Sequence, residues 1–405
     1  MADNTPYLEG IRVLDFTQYL AGPSCTRLLA EMGAEVIKVE MAPYGDPTRA
    51  GEPRRNKRSG QFVQQNRGKK SICVDLRTEE GLAIVKELVP TVDIVVENYS
   101  AGVMARRAMS YDDLAAINPR LIMASVTGFD QTGPMSHKTA FDFIAQGFSG
   151  MMHMTGEPDG PPTMVGYGIV DSSSGFHAFA AIGYALFRRS ITGKGMQLDI
   201  SMVDSMFHMH EMAVHAPSMT NGEWMPERTG RNYRPLSPAG SFKGPTGWIV
   251  ILCTEGQIQY LWDAIGRSEL SKDPRFSNNQ RRIDNRAELT EMVETWMASF
   301  PDDDAVLAQL DAHRVPCGPV LSPADALDHP YFEARRMVRE VEDPLIGKFK
   351  IPGFPIKFSD FPDEPDLATP NLGQHNRAVL SELLGYDEAR IAKLEAAGVL
   401  QSKDR

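Results

Sequence analysis

An aspartate set between a glycine- and proline-rich loop and a helix of small residues is the position in this 405-residue chain best suited to covalent chemistry. In the stretch from Gly156 to Arg189, GEPDGPPTMVGYGIVDSSSGFHAFAAIGYALFRR, that residue is Asp171. Gly156, Gly160, Pro161, Pro162, Gly166 and Gly168 permit tight turns and close backbone approach but build no regular element. After Asp171, the residues Phe176, Phe179, Ala180, Ile182, Gly183 and Leu186 recur at roughly helical spacing. Asp171 therefore reads as a helix N-cap, where the helix dipole and the unpaired N–H groups of the first turn favour an ionised carboxylate near pH 7. Such a group either caps the helix and nothing more, or serves as a covalent nucleophile. A second acid, Asp142, lies upstream in TAFDFIAQGFSGMM.

Two further clusters invite chemistry. Arg49, Arg54, Arg55, Lys57, Arg58, Arg67, Lys69 and Lys70 concentrate positive charge between residues 49 and 70, which suits either a solvated loop or an anion site. From Gln197 to His215, Met202, Met206, Met209 and Met212 follow helical spacing, the pattern of core or subunit interface. His208, His210, His215 and Glu211 in that stretch lack the H-E-x-x-H spacing, and no metal site is expected.

The elements that must position these residues alternate between strand and helix. IRVLDF is a strand, the segment with Pro23, Leu28, Leu29 and Met32 a helix stopped by Gly33, and the run from Ala34 to Glu40 a second strand. This βαβ unit invites a dinucleotide reading with Glu40 as the ribose acid, but Gly22 is the only glycine between Phe16 and Glu31, so the G-x-G-x-x-G turn is missing. SICVDL, DIVVENY and LIMASVTGF continue the strands, and they place Asn98 and Tyr99 at a carboxyl end, where open α/β sheets bind ligands. Arg106 and Arg107 follow. Residues 221–247 are turn-rich and read as a linker; GSF, a GPTG turn and WIVILCT then predict a hairpin opening a smaller α+β domain. Extended segments around EVEDPLIGKFKIPGFPIKF and an amphipathic helical tail close the chain.

Composition bounds the rest. A net charge of −11 disfavours nucleic-acid and anionic-membrane partners, and 42% hydrophobic with 23% charged residues argues for a globular chain. No apolar run approaches a membrane span of roughly 20 residues. Cys25, Cys73, Cys253 and Cys317 form no CxxC pair, which together with the N-terminal sequence gives a cytoplasmic expectation.

Taken together, LEGIRVLDFTQYLAGPSCTRLLAEMGAEVIKVE, NRGKKSICVDL, DIVVENY, PPTMVGYGIVDSSSG, TGKGMQLDISMVDSM, VPCGPVLS, IPGFPIKFSDF and LGQHNRAVLSELLGY resemble the class III CoA-transferases, the group of the formyl-CoA and carnitine CoA-transferases, nearly end to end. The resemblance implies an α/β fold: a large Rossmann-like CoA-binding domain from both chain ends (1–220 and 325–405), a small α+β domain with its linkers (221–324), and an interlocked homodimer. It implies Asp171 as the nucleophile that forms an aspartyl anhydride and then an aspartyl-CoA thioester, with Asp142 as a neighbouring acid. Tyr19, Leu20, Ala21, Val74, Asn98, Tyr99, Arg106, Arg107, Phe141 and Met202 would form the CoA site. The partners implied are an acyl-CoA and a carboxylic acid acceptor, with coenzyme A as substrate and no tightly bound cofactor. Leu20 stands where the formyl-CoA enzymes have a glutamine, and RNYRPLSPAGSF replaces their glycine-rich lid, which sets this chain apart from a formyl-CoA and oxalate pair. Met41 replaces a basic CoA contact. Two alternatives remain: an α-methylacyl-CoA racemase, although Phe141 stands where those enzymes carry histidine, and a non-catalytic acyl-CoA binding protein.

Overall fold

The computed structural model describes residues 5–360 and 367–402; the ends of the expected large domain and the last residue of IPGFPIKFSDF lie outside them. Its chain divides into two compact units, one formed by residues up to Met151, Met164–Val214 and from Tyr331 onward, the other by Met152–Thr163 and His215–Pro330.

In the first unit, short runs rich in Val and Ile form six parallel strands: β1 (Arg12–Asp15), β2 (Glu35–Met41), β3 (Lys69–Val74), β4 (Ile94–Glu97), β5 (Ile122–Thr127) and β6 (Met196–Ser201). Their order is β3-β2-β1-β4-β5-β6, the doubly wound arrangement, which changes direction between β1 and β4. Burial on both faces explains why β1, β4 and β5 read as nearly continuous apolar runs, whereas the edge strand β6 alternates partly buried with exposed residues over its first four positions. One apolar layer holds Leu14, Ile37, Ile72 and Val95 with Val379, Leu380 and Ile391 of the C-terminal helices Asn376–Leu384 and Glu388–Ala396. The opposite layer holds Val13, Val36, Ile94 and Ala124 with Cys25, Leu29, Ala178 and Ile182 from α1 (Ala21–Glu31) and the long helix that begins at Ile169. The C-terminal segment thus contributes helices, and an antiparallel bridge from Leu400 to Val74, but no strand of the sheet.

The helical reading of residues 197–215 is corrected. Gln197 lies in β6, the edge strand beside β5, and the helical residues there are Met202–His208 and His215, which opens the short helix His215–Met219. Met202 and Met206 enter the core, whereas Met209 is about half exposed.

The second unit contains the expected hairpin, with Ala239–Lys243 antiparallel to Trp248–Leu252 and Trp248 opposite Lys243; Cys317–Pro319 adds a third strand. Ile249 and Ile251 point inward onto Leu261, Trp262, Val293 and Leu310, while Trp248, Val250 and Leu252 alternate outward. Among the described residues no helix is long and apolar enough to cross a membrane.

Backbones approach closely where α1 meets the long helix. A β-carbon at Gly175 would stand 2.6 Å from the Ala21 carbonyl oxygen and 2.7 Å from Ser24 Cβ, which leaves the helices no room for any side chain. Gly175→Ala would gain about 1 kcal/mol of helix propensity but incur about 1–3 kcal/mol of overpacking. The variant is therefore expected to melt at a lower temperature than the parent, as read by circular dichroism; an unchanged or higher Tm would show that the helices yield freely.

Candidate active site

At the reversal of strand order, the loops after β1, β4 and β5 enclose a cleft of about 210 Å³. It is lined by Gln18, Tyr19 and Ala21, by Asn98 to Ala101, by the segment from Val126 to Asp130, by Lys138 to Phe141, and by Asp171 and Met202. Of the residues singled out in the sequence, the structure thus brings Tyr19, Ala21, Asn98, Tyr99, Phe141, Asp171 and Met202 to one place. Leu20, Val74, Asp142, Arg106 and Arg107 do not line the cleft.

Buried charge fixes the loop after β1. Lys69 Nζ, fully enclosed, donates to Asp15 Oδ2 at 2.9 Å, Thr26 Oγ1 at 2.7 Å and Asn66 Oδ1 at 2.9 Å. Lys38 Nζ donates to the Thr17 carbonyl at 2.6 Å and pairs with Asp46 at 2.9 Å. Burial alone would raise the Asp15 carboxyl, but Lys69 and Lys38 hold it down at about 2; burial lowers the Lys69 ammonium to about 8 despite Asp15. Asn98 clamps the next residue from both sides, accepting from Gln18 N at 2.7 Å and donating to Gln18 O at 2.8 Å. Tyr19 is held with φ at +63°, a left-handed conformation costly for a side chain of its size, and its ring meets the edge of Phe141 at 6.0 Å. Lys38, Thr17, Thr26, Asn66 and Gln18 were not singled out in the sequence, and Lys69 was named only within the basic run; a lysine within a strand is the one local signal.

The basic run from 49 to 70 is only in part a solvated loop: Arg54, Arg55 and Lys57 are exposed, and Arg49, Arg54, Lys57 and Arg58 line a second cavity. Arg49 pairs with Glu40, Arg58 with Asp343, Arg67 with Glu31, Lys69 with Asp15 and Lys70 with Glu35, so most of its charge is matched within the fold. Glu40, the residue at the ribose position of a dinucleotide fold, is taken up by Arg49, Ser71 and the Asp46 N–H.

The expectation that Asp171 caps its helix is corrected. That helix, α4 (Ile169–Thr192), starts two residues earlier, with Gly168 at the N-cap and Asp171 in the first turn. Its N-terminal N–H groups are instead satisfied by Asp142, the first residue of α3 (Asp142–Phe148; of the helices between it and α1, Glu79–Leu88 is α2). Asp142 is buried, and its Oδ2 accepts from Val170 N at 2.7 Å and Asp171 N at 3.0 Å. A β-carbon at Gly168 would stand 2.4 Å from Leu20 Cδ2, so Leu20 packs the β1 loop onto the start of α4 and would have to shift to admit a side chain there. Among the described residues no donor reaches the Asp171 carboxyl. Burial first, and then the Asp142 charge, push it up to about 7, so the expectation of full ionisation at neutrality is also corrected.

The other positions are placed as follows. Val74 is fully buried at the end of β3, where its carbonyl accepts from Ala42 N and its backbone bridges to Leu400. Arg106 is exposed at the end of the short helix Val103–Arg106, and the Arg107 guanidinium lies 5.7 Å from the Tyr99 ring with a buried Nη1 that has no hydrogen-bond partner. Among the described residues no group of three or more His, Cys, Asp or Glu side chains is placed to hold a metal ion.

Comparison with known proteins gives a consistent picture. The family description "CoA-transferase family III" matches residues 8–376. The chain is 36% identical over 406 residues to a succinyl-CoA:glutarate CoA-transferase of Mus musculus, covering 99% of this chain and 92% of that one. It is 38% identical over 398 residues to a succinyl-CoA–D-citramalate CoA-transferase of Chloroflexus aurantiacus, covering 97% and 98%. The crystal structure of a CAIB/BAIF family protein from Brucella suis superposes with a TM-score of 0.82 at 36% identity, covering 94% of this chain and all of that one.

The raised Asp171 carboxyl has a thermodynamic consequence. Its folded value, about 7, lies above the ordinary 3.8, so the folded state holds this proton more tightly than the unfolded state. Ionised Asp171 therefore costs stability above pH 7, and the cost disappears as pH falls through 7 toward 4. Asp171→Asn is expected to stabilise the protein by about 1–4 kcal/mol at pH 8, with the gain vanishing near pH 4. Thermal melts across this range check it; a variant equally or less stable at pH 8 would contradict the carboxylate repulsion.

Proposed function

Since the chain belongs to CoA-transferase family III and is a CoA-transferase, we propose that it moves CoA from an acyl-CoA donor to a free carboxylic acid through covalent intermediates on Asp171. An Asp171 oxygen attacks the thioester carbonyl, the C–S bond breaks, and the products are an acyl-aspartyl anhydride and CoA thiolate. The thiolate then attacks the aspartyl carbonyl, giving the aspartyl-CoA thioester and releasing the donor acid. The acceptor carboxylate reverses both steps with its own acyl group, and Asp171 is regenerated. No proton or electron is gained or lost overall, and the thioester bond energy is conserved provided water stays out.

The observation that carries this reading is the Asp171 carboxyl itself: it faces the cleft, without a hydrogen-bond donor among the described residues, and is more basic than an ordinary carboxylate. Asp142, by contrast, is occupied at the helix terminus and acts on Asp171 through its charge. In this reading Tyr19, Ala21, Asn98, Tyr99, Phe141 and Met202 hold the CoA chain, with Leu20 and Val74 supporting the loops, and Arg107, with its unpartnered Nη1, takes a phosphate beside Arg106. The succinyl-CoA relatives favour a dicarboxylic acid among the substrates. A racemase would need a base at the α-carbon, and no histidine lines the cleft among the described residues. Tyr184, Phe187 and Ile191, between 63% and 77% exposed on α4, support a working homodimer that covers them.

Mass spectrometry after incubation with acyl-CoA esters and hydroxylamine is expected to place a hydroxamate on Asp171, and Asp171→Ala to retain CoA binding while exchange falls below about 10⁻³ of the parent rate. An adduct elsewhere, or near-normal exchange by the alanine variant, defeats the reading. Arg107→Ala is expected to weaken CoA binding roughly 10- to 100-fold, the value of one charge-assisted hydrogen bond; unchanged binding by calorimetry would remove Arg107 from the site.

A further inference from the structure

The proposed chemistry uses Asp171 and Asp142 but gives no role to Gln146, which lies one turn along α3 and is completely buried. Its amide is fully committed. Oε1 accepts from Val165 N at 2.9 Å; Nε2 donates to Asp142 Oδ1 at 2.5 Å and approaches the Val165 carbonyl at 3.4 Å. Chemistry leaves one amide orientation, because a flipped group would set oxygen against the Asp142 carboxylate and NH₂ against the Val165 N–H. A single side chain therefore joins three features. It supplies the third donor to Asp142, whose other oxygen receives the two N–H groups of α4. It also fastens Val165, in the segment that leads into Asp171, and it does so from a different helix.

We infer that Gln146 is a positioning residue for the Asp171 chemistry: by tying Asp142 and the Val165 backbone together, it decides which carboxyl occupies the N-terminus of α4 and which is presented to the cleft. The inference rests on the reading of Asp171 as nucleophile. Without the Gln146 donor, the Asp142 oxygen that faces it is buried with no replacement, its negative charge is held less firmly, and the residue is free to turn away from α4. Both outcomes lessen the repulsion on Asp171 and loosen the segment that aims it. The other titratable and charged groups nearby are Asp130 and Lys138 in the cleft wall, His177 farther along α4 with its ring on the Ser173 carbonyl, and His210, whose Nε2 meets the Ser149 carbonyl beyond α3. The Asp142 charge is the only one of these that presses on Asp171.

Gln146→Leu keeps the volume and removes every hydrogen bond; Gln146→Glu, when protonated, restores a donor toward Asp142 and an acceptor toward Val165. After thermal melts establish that each variant is folded, the rate of hydroxylamine-trapped Asp171 adduct and kcat/KM are followed from pH 5 to 9 with succinyl-CoA as probe. For Gln146→Leu, kcat is expected to fall roughly 10- to 100-fold, the usual cost of a slightly misaimed reacting group, with KM for the thioester within about threefold and the acid limb of kcat/KM moved to lower pH than in the parent. Gln146→Glu should stand nearest the parent at the acid end and lose ground as pH rises and the new carboxyl ionises against Asp142. A folded leucine variant whose acid limb coincides with the parent's, or a glutamate variant whose activity relative to the parent is the same at every pH, overturns the inference. The absence of an Asp171 adduct in the unmodified protein would instead defeat the nucleophile reading beneath it.

Discussion

The N-terminus of α4 accepts one carboxylate, and it has accepted Asp142. Two backbone N–H groups and the Gln146 amide converge on that side chain, so its charge is solvated by the protein. Asp171, on the helix that receives this cap, is left partly buried, unpartnered and next to a like charge. Two acids a short distance apart thus have opposite environments, one satisfied and one not, the division between carboxyl groups that the proposed covalent role of Asp171 calls for. The arrangement works because the cap is a carboxylate. A neutral Ser or Thr just before α4 would satisfy the same N–H groups without placing a fixed negative charge beside Asp171.

The sheet makes that geometry rigid. Its change of winding direction opens a crevice between β1 and β4, and the loop after β1 enters the crevice fastened by Lys38, Lys69 and Asn98. The same loop is packed onto α4 at two points, through Leu20 against Gly168 and through Ala21 and Ser24 against Gly175. Small residues there serve contact between backbones, which brings the start of α1 and the start of α4 within reach of one ligand. Removing one partner of the buried Lys69 and Asp15 pair would leave an uncompensated charge worth about 3–5 kcal/mol, so the network holds the loop more firmly than surface ion pairs could.

What was legible in the sequence follows the range of the interactions. The inner strands were readable because burial on both faces demands unbroken apolar runs, and the small-unit hairpin because a GPTG turn separates two β-rich segments; the edge strand β6, with polar residues alternating along it, was read into the helical spacing of the methionines that follow. Asp171 stood out through its local setting of glycines and serines. The start of α4 was misread for the same reason: nothing near Ile169 announces a cap, since the capping carboxylate lies 28 residues upstream of Val170. The basic run was equally opaque, because Glu31, Glu35, Glu40 and Asp343 neutralise it from other elements. A trace of the cap was present, however: Asp142 and Gln146 sit four apart on a helix, the spacing at which an amide can hold a carboxylate.

The raised basicity of Asp171 also bears on which way the proposed exchange runs. In an acyl-aspartyl anhydride the CoA thiolate can attack either carbonyl, and the carboxylate expelled is the other half of the anhydride. Attack at the acyl carbonyl must expel Asp171, a leaving group of pKa about 7. Attack at the aspartyl carbonyl expels the substrate acid, whose pKa is that of an ordinary carboxylic acid, near 4, and which is therefore the better leaving group. The environment that makes Asp171 the stronger nucleophile in the first step thus also biases the second step toward aspartyl-CoA and release of the donor acid. Asp142 strengthens both effects through a charge that never enters the reaction. The acceptor half of the proposed exchange runs these steps in reverse, so the same difference in leaving-group basicity must be overcome there, when CoA thiolate expels Asp171 from the acceptor's anhydride.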